Sequence, residues 1–174
     1  MKWKHALMPA ALSLLGGCVA SPVPEGYQGE LAHIADSATP RDAMSADFFY
    51  LAKINGFNIP ESLDATEGGN RDQGASRPVV VIGRDVPAEE TVFKLVGHTR
   101  YSTPVFALTH TVYDVQGEIK FAPLPHHDYV VKGVLGEAYS AVWLEDKATG
   151  KLAGAKIEVK GSAALDTFGK LDLK

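Results

Sequence analysis

After residue 28 the chain consists of short apolar runs separated by polar turn residues, without a sustained helical period. Leu31–Ala35 predicts a short first strand, and residues 36–46 predict a loop or one weak helical turn. Asp47 to Ile54 predicts a strand with apolar side chains on both faces, and Asn55-Gly56 after it is a favoured two-residue hairpin turn. Residues 60–78 are polar and glycine-rich, which predicts a long loop.

The middle of the chain predicts three further strands. Val79–Ile82 is a four-residue apolar run after Pro78, which is typical of a buried strand. Thr91–Val96 and Val105–Tyr113 are predicted as strands on either side of a Ser-Thr-Pro turn.

The last third has the clearest pattern. Strands are predicted over Glu118–Phe121, Tyr129–Leu135, Ser140–Leu144 and a return strand that includes Ala155, Ile157 and Val159 on its inner face. Residues 146–150 predict the hairpin turn before the return strand, whose outward lysines are a common guard against edge-to-edge association. Strands at this spacing predict an all-β fold, a single antiparallel β-sandwich over residues 29–174.

One local motif refines the fold class. Residues 124–129, Leu-Pro-His-His-Asp-Tyr, precede an apolar strand and resemble the tyrosine corner of immunoglobulin-like and fibronectin-type domains. The resemblance implies that the Tyr129 hydroxyl bonds to the backbone of the preceding loop. The wider stretch 117–151 is similar to transthyretin-like sandwiches of envelope lipoproteins. Together these resemblances imply an immunoglobulin- or transthyretin-like sandwich, without a named family over the full length.

The amino terminus has the composition of a secretory signal. Lys2 and Lys4 precede a mostly apolar stretch, Ala6 to Leu15, and small residues follow it. The apolar stretch is too short to span a bilayer, which needs about 20 residues in a helix. We therefore predict that residues 1–17 are a signal peptide and are removed.

The junction itself resembles a lipobox, Leu15-Gly16-Gly17-Cys18. This resemblance implies a bacterial lipoprotein in which the Cys18 thiol carries a diacylglycerol and the new amino group can carry a further acyl chain such as palmitate. Two or more chains anchor a protein stably, whereas one binds a membrane only marginally. Val19 follows, rather than the aspartate linked to inner-membrane retention, so the resemblance implies the outer membrane, with the domain facing the periplasm.

The remaining sequence agrees with a membrane-anchored globular domain. Cys18 is the single cysteine, so no internal disulfide can form. Residues 18–28 contain two prolines and small polar residues, and we predict that they form a flexible tether. Loss of Lys2 and Lys4 changes the formal charge from −4 to −6. An acidic surface gives no general attraction to nucleic acid.

Candidate metal chemistry is limited to one sequence cluster. His126 and His127 precede Asp128, but adjacent side chains on an extended segment point to opposite faces, so both histidines rarely reach one ion. A third ligand, such as His98 or His110, would be needed. We predict no metal site and no cofactor, and we interpret the cluster as a solvated corner loop.

Catalytic signatures are also missing from the sequence. There is no Gly-x-Ser-x-Gly elbow and no phosphate-binding glycine loop. The carboxylate pairs Glu89-Glu90 and Glu145-Asp146 are adjacent, so on a strand they face opposite ways and do not form an acid/base pair. Trp143 and residues 48–50 are interpreted as core, although the strand 47–54 has apolar groups on both faces, which hints at a partner surface.

Three functions remain open from the sequence. The favoured one is a non-catalytic outer-membrane lipoprotein that binds another envelope component, a protein partner. The second is a periplasmic inhibitor or immunity protein that blocks a cell-wall hydrolase through the loop 60–78. The third is an envelope enzyme, which would need a concave pocket with converging polar groups.

Overall fold

The computed structural model describes residues 20–69 and 78–165, which form two β-sheets packed face to face. In chain order the strands are β1 (Leu31–Ala35), β2 (Ser37–Pro40), β3 (Ser45–Ile54), β4 (Phe57–Asn58), β5 (Gly83–Pro87), β6 (Thr91–Tyr101), β7 (Asp114–Phe121), β8 (Asp128–Val134), β9 (Tyr139–Asp146) and β10 (Lys151–Lys160). Within the described residues two short helices occur, α1 (Ser62–Gly69) and α2 (Pro104–Ala107). The predicted all-β sandwich is confirmed.

The first sheet has the order β10-β9-β8-β1-β5, and the second has the order β2-β3-β6-β7 with β4 paired to β3. Every pairing is antiparallel except that of β1 with β8, which is parallel. Only Asp36 separates β1 from β2, so the chain crosses from one sheet to the other at this residue. The prediction of a loop over residues 36–46 is therefore wrong for Ser37–Pro40 and for residues 45–46, which are strands, and right for the turn 41–44. An extended chain that changes sheets leaves no apolar alternation to recognise.

The core lies between the sheets and is built from alternate residues of the facing strands. Its largest fully buried side chains are Tyr129, Phe93, Ile34, Leu51, Leu95, Leu144, Val86, Val115, Val131 and Val142. The Phe49 ring lies directly against Gly133, where a Cβ atom would collide with that ring and with the Ala141 carbonyl oxygen. Glycine at this position allows the two sheets to approach closely.

The tyrosine corner has the geometry that the resemblance implied. Tyr129 is buried at the start of the strand segment, and its hydroxyl oxygen accepts a hydrogen bond from the Leu124 backbone N–H at 3.0 Å. The ring packs edge-on against Phe121, with centroids 5.4 Å apart. The corner therefore ties the loop 122–127 to the core.

We expect Tyr129→Phe to lower the free energy of unfolding by about 1 kcal/mol, because the Leu124 N–H loses its protein acceptor while the ring stays packed. The matched control is Tyr139→Phe, whose exposed hydroxyl donates to Glu158 at 2.7 Å. That change should cost clearly less than Tyr129→Phe, because at this exposed site water can replace the hydrogen bond. Urea unfolding of the three proteins measures both values, and equal losses would contradict the assigned role of the corner.

Two predicted strands are wrong. Val79–Ile82 lies outside the sheets, and the strand begins only at Gly83. The segment predicted as a strand over Val105–Tyr113 contains α2, because Pro104 occupies the first turn of a helix, where it needs no N–H partner. Apolar composition alone did not distinguish these segments from strands.

Some residues of the first sheet that were interpreted as core or inward-facing are partly or wholly exposed. Trp143 is only half-buried and lies under the Lys156 ammonium group, which is 4.9 Å from the ring centroid. In β10 the register shifts between Ala153 and Ile157, and Gly154 has φ +75°. Because of this bulge Ile157 packs on the core, while Ala155 and Val159 stay exposed.

Candidate functional site

The candidate site is a cleft on the outward face of the second sheet. β3 carries apolar residues on both faces, so while Phe49 and Leu51 point into the core, Ala46 and Phe48 point away from it. Phe48 is nevertheless almost fully buried, because α1 packs across this face. The second apolar face of β3 is therefore covered largely by the chain itself, and the remaining gap forms the cleft.

A buried ion pair holds the helical wall of the cleft. The Arg84 guanidinium donates two hydrogen bonds of 2.6 Å to the two oxygens of Asp36. The same carboxylate accepts hydrogen bonds from the Leu51 N–H, the Ser62 N–H and the Ser62 hydroxyl, at 2.8–3.0 Å. This Asp36 cluster thus links β3, β5 and the first residue of α1.

Glu61 caps the same helix. Its carboxylate accepts hydrogen bonds from the backbone N–H groups of Leu63 at 2.6 Å and Asp64 at 3.0 Å, two of the donors that a helix leaves unpaired at its start. Glu61 is buried, and this burial raises the pKa of its carboxyl group to about 7 in spite of the two hydrogen bonds. The predicted loop over residues 60–78 is therefore wrong for 62–69, and residues 70–77 lie outside the described part of the chain.

We expect the Glu61 carboxyl to make the protein less stable as the pH rises from about 4.5 to about 7. Its pKa is higher in the folded chain than the ordinary 4.5, so the folded state binds the proton more tightly over that interval. At about 1.4 kcal/mol per unit of pKa, the loss is on the order of 3 kcal/mol.

Urea unfolding of the wild type and of Glu61→Gln between pH 4 and pH 8 measures this effect. The difference between the two curves should change with pH, because the amide does not titrate but still accepts one N–H. Glu61→Ala should remove the same pH dependence and lie about 1 kcal/mol below the Gln variant throughout, because it lacks the cap. If the difference in free energy of unfolding between the wild type and Glu61→Gln were the same at every pH, the raised pKa of the Glu61 carboxyl would be contradicted.

The second wall is the turn 41–44. The Arg41 guanidinium contacts the Asp47 carboxylate at 3.1 Å and donates to the Leu135 carbonyl at 2.8 Å, which joins the turn to both sheets. Burial raises the pKa of the Asp47 carboxyl, against the hydrogen bond from the Thr99 hydroxyl and the charge of Arg41. The turn itself is closed by Asp42, which accepts from the Met44 N–H at 2.7 Å.

The cleft between these walls has a volume of about 220 Å³. Pockets that enclose a small-molecule ligand usually have about 300–1,000 Å³, so this cleft fits one or two side chains of a partner better than a substrate. Its floor is Phe48, Ala46 and Pro40, and an ion pair of 2.9 Å between Arg100 and Glu67 lies at the rim. Apolar floor and charged rim suit protein recognition.

Exposed apolar side chains continue from the cleft over the same end of the sandwich. Met44, Val105 and Leu108 are all exposed, and Val105 and Leu108 have 60% and 63% of their surface free. The Met44 carbonyl accepts a hydrogen bond of 2.8 Å from the Ser102 N–H, which ties the turn 41–44 to the segment before α2. We call the cleft together with these three residues the cleft end.

A wider hollow of about 610 Å³ lies beside α2, between the end of that helix and residues 164–165. Its two histidines are each engaged: His98 Nδ1 lies 2.9 Å from an Asp114 oxygen, and His110 Nδ1 lies 3.1 Å from the Phe106 carbonyl.

The opposite end of the sandwich is formed by the Asn55-Gly56 turn, with φ values of +49° and +83°, and by the loop 122–127. The described chain starts here, and the Ala20 N–H donates to the Asn58 carbonyl at 2.9 Å. Phe57 is exposed over 66% of its surface beside it. We call this the hairpin end.

The sequence-predicted site residues have the following positions. Cys18, the predicted lipidation site, and residues 15–17 lie outside the described residues. His127 pairs with Asp146 at 3.0 Å, whereas His126 has φ +60° and lies 3.8 Å from Glu30, so the two rings separate.

In each of the two carboxylate pairs, one member forms an ion pair with a lysine. Glu90 lies 3.2 Å from the Lys120 ammonium, and Glu145 lies 2.7 Å from that of Lys132. The structure brings neither of these carboxylates to a second catalytic group, and each sits in a surface ion pair.

Sequence reasoning missed the Asp36 cluster and the cleft. The only local signal was Asp36 directly after the apolar alternation of β1, where a carboxylate on an otherwise buried path requires a partner. Nothing in the spacing of Asp36, Ser62 and Arg84 along the chain indicates that they meet.

Over residues 20–69 and 78–165, no three His, Cys, Asp or Glu side chains are grouped so that they could hold a metal ion. The same residues contain no apolar helix of membrane-spanning length. None of the protein families, curated proteins or solved structures compared with the chain matches it.

Proposed function

We propose that this protein is a lipid-anchored, non-catalytic lipoprotein of the outer membrane that binds another envelope protein through its cleft end. The observation that carries the proposal is that the chain entry and the cleft lie at opposite ends of the domain. The chain enters it at the hairpin end, two residues after Cys18, while the cleft and the exposed residues Met44, Val105 and Leu108 lie at the other end.

Chain geometry supports a short connection to the bilayer. Two extended residues span at most about 7 Å, so an acylated Cys18 would lie close to the Asn58 carbonyl that holds Ala20. Residues 20–28 contain turns, such as the Tyr27 N–H bond of 3.1 Å to the Pro24 carbonyl, and so reach less far than an extended tether. Exposed Phe57 is then in position to enter the lipid interface.

Strand length supports the separation of the two ends. β3 runs from Ser45 at the cleft end to Ile54 at the hairpin end, and nine steps of about 3.3 Å give roughly 30 Å. With the hairpin end on the bilayer, the cleft end is presented to the periplasm at that distance, where a protein partner can reach it.

The chemistry of the cleft supports binding rather than catalysis. The charged groups at its edge already have partners. Arg100 forms an ion pair with Glu67, and Asp42 accepts a hydrogen bond from the backbone of its own turn. The pKa of Asp42 is lowered, first by the Met44 N–H, so this carboxylate is not poised to take up a proton near neutral pH.

The alternative of a hydrolase inhibitor depends on a projecting loop at residues 60–78. Glu61 and Ser62 are buried, and the Ser62 hydroxyl accepts from the Ile82 N–H at 2.9 Å, so the start of that segment is docked on the sheet. No observation on the described residues favours the inhibitor over the accessory protein.

Photo-crosslinking in intact cells tests the proposal. A photoreactive residue at Leu108, at the cleft end, should give an adduct with one envelope protein, identified by mass spectrometry. The matched control is Leu152, which is similarly exposed but lies at the start of β10 near the hairpin end. Val105→Asp should abolish the Leu108 adduct by burying a charge in the contact. An adduct of equal strength at Leu152, or none at Leu108, would contradict the proposal.

A further inference from the structure

The first sheet ends at β5, whose outward backbone groups have no hydrogen-bond partner among residues 20–69 and 78–165. In β5 the even residues face β1: the Ile82 carbonyl accepts from the Asp36 N–H at 2.9 Å, and the Ala88 N–H donates to the Glu30 carbonyl at 2.9 Å. In an antiparallel ladder the alternate residues face the other way. The N–H and C=O groups of Gly83 and Asp85 therefore point away from the sheet.

The same alternation continues before the strand. The Val80 N–H donates to the Thr66 hydroxyl at 2.9 Å, and its carbonyl accepts from that hydroxyl at 3.2 Å. Side chains of α1 thus take the place of a neighbouring strand. The backbone groups of Val79 and Val81 have no hydrogen-bond partner among the described residues, and their side chains are 41% and 50% exposed. Along the chain, the unpaired groups of Val79 and Val81 therefore precede those of Gly83 and Asp85, although only Gly83–Pro87 belongs to the sheet.

Three other edge strands of the described residues carry features that hinder the addition of a strand. β10 carries outward lysines and the Gly154 bulge, both of which hinder pairing with another strand. The start of β7 is paired through Tyr113 with Ala164. β2 has only four residues and ends at Pro40. The segment Val79–Asp85, by contrast, has exposed valine side chains and unpaired outward backbone groups, which make it a template for an added strand.

We propose that this edge binds an extended segment of the partner protein as a sixth strand of the first sheet. The inference rests on the proposed binding role and deepens it, since Val79 also lines the cleft, so that the edge and the cleft end form one surface. The segment would carry apolar side chains beside Val79 and Val81. Beside Asp85 it would carry a basic side chain, which can reach the carboxylate because this group is 61% exposed although one of its oxygens bonds to His33 at 2.9 Å. The net negative charge of the chain also favours a partner segment with a positive charge.

A second copy of this chain fits the edge less well. Antiparallel pairing of the edge with itself would turn the hairpin end of one copy toward the cleft end of the other. Two copies that stand on the same membrane at their hairpin ends could not pair in this way. A foreign segment has no such restriction.

Amide hydrogen exchange tests the inference with a defined probe, a synthetic peptide that alternates valine and threonine and ends in lysine. The protein is the full mature chain with Cys18→Ser, observed by NMR. On saturation, the amides of Val81, Gly83 and Asp85 should exchange about tenfold more slowly, while those of Val80 and Ile82, already bonded, should change little.

Two variants separate the backbone from the side chain. Val81→Pro should fold, since proline is tolerated on edge strands. Because it removes one outward N–H, it should weaken peptide binding about tenfold. Val81→Thr keeps the N–H and the shape and should bind within about threefold of the wild type. Equal binding by both variants would overturn the inference.

The remaining outcomes are distinguishable. One outcome is that the peptide protects only Met44, Val105 and Leu108; another is that it does not bind, while the Leu108 crosslink in cells persists. Either result would overturn the binding of a strand at this edge and leave the proposed binding role intact. If the free protein already protects its outward amides as a dimer, the edge belongs to a second copy, and the inference is overturned.

Discussion

Asp36→Ala should lower the free energy of unfolding by about 3–5 kcal/mol, a large part of the stability of a domain of this size. The variant leaves the Arg84 guanidinium buried without its counter-charge, although the pair was held by two hydrogen bonds of 2.6 Å. It also removes the acceptor of the Leu51 and Ser62 N–H groups. Urea or thermal unfolding measures the loss, and the melting temperature should fall by about 10 °C or more.

The matched control is Glu67→Ala. Glu67 also pairs with an arginine, at 2.9 Å, but its carboxylate is 45% exposed, so the expected cost is below about 1 kcal/mol. The double variant Asp36→Ala/Arg84→Met should be more stable than Asp36→Ala alone, because it removes the uncompensated charge. Equal small losses for Asp36→Ala and Glu67→Ala would mean that the Asp36 cluster does not hold the fold.

This loss should also affect binding. Ser62 is the first residue of α1, and the Asp36 carboxylate is bonded to both its backbone and its hydroxyl. A weaker cluster allows α1 to leave the outward face of β3, which removes one wall of the cleft and the groups that position Val80. Destabilisation and loss of the Leu108 crosslink should therefore occur together.

The parts of the fold that were predicted correctly depend on neighbours in sequence. Asn55-Gly56 forms the turn that its left-handed backbone preference indicates, and β1 has the predicted bounds. The hairpin around residues 146–150 follows from short-range turn chemistry, since Asp146 accepts from the Ala148 and Thr149 N–H groups at 2.9 Å. Such signals are complete within a few residues.

Two of the wrong predictions, at residues 79–82 and at α1, depend on distant contacts. Residues 79–82 are apolar enough for a buried strand, yet their inward partners are side chains of α1. The helix α1 has a weak local pattern and is held by Glu61 and the Asp36 cluster. Tertiary contacts override local propensity at these places, which no single-sequence pattern can reveal.

The candidate site divides in the same way. The lipobox ending at Cys18 is a local motif and could be proposed from the sequence. The cleft requires that β3 be covered by α1 and that the turn 41–44 be fixed by Arg41, which are contacts between segments far apart in the chain. The apolar second face of residues 47–54 was the one sequence feature that indicated it.

The second large effect is expected at Cys18. Cys18→Ser removes the sulfur that would carry the diacylglycerol, and without two or more acyl chains the acidic domain has little affinity for a membrane. We expect the protein to change from almost entirely membrane-bound to almost entirely soluble. Val19→Asp is the matched control, because it keeps the lipid and should move the protein to the inner membrane without releasing it.

The most direct test of the account is mass spectrometry of the amino-terminal peptide together with membrane flotation of the wild type and Cys18→Ser. We predict a mature chain that begins at an acylated Cys18 and floats with outer-membrane vesicles, and a serine variant that carries no lipid and stays at the bottom of the gradient. An unmodified Cys18 in the wild type, or a serine variant that floats equally, would contradict the anchor and the orientation derived from it.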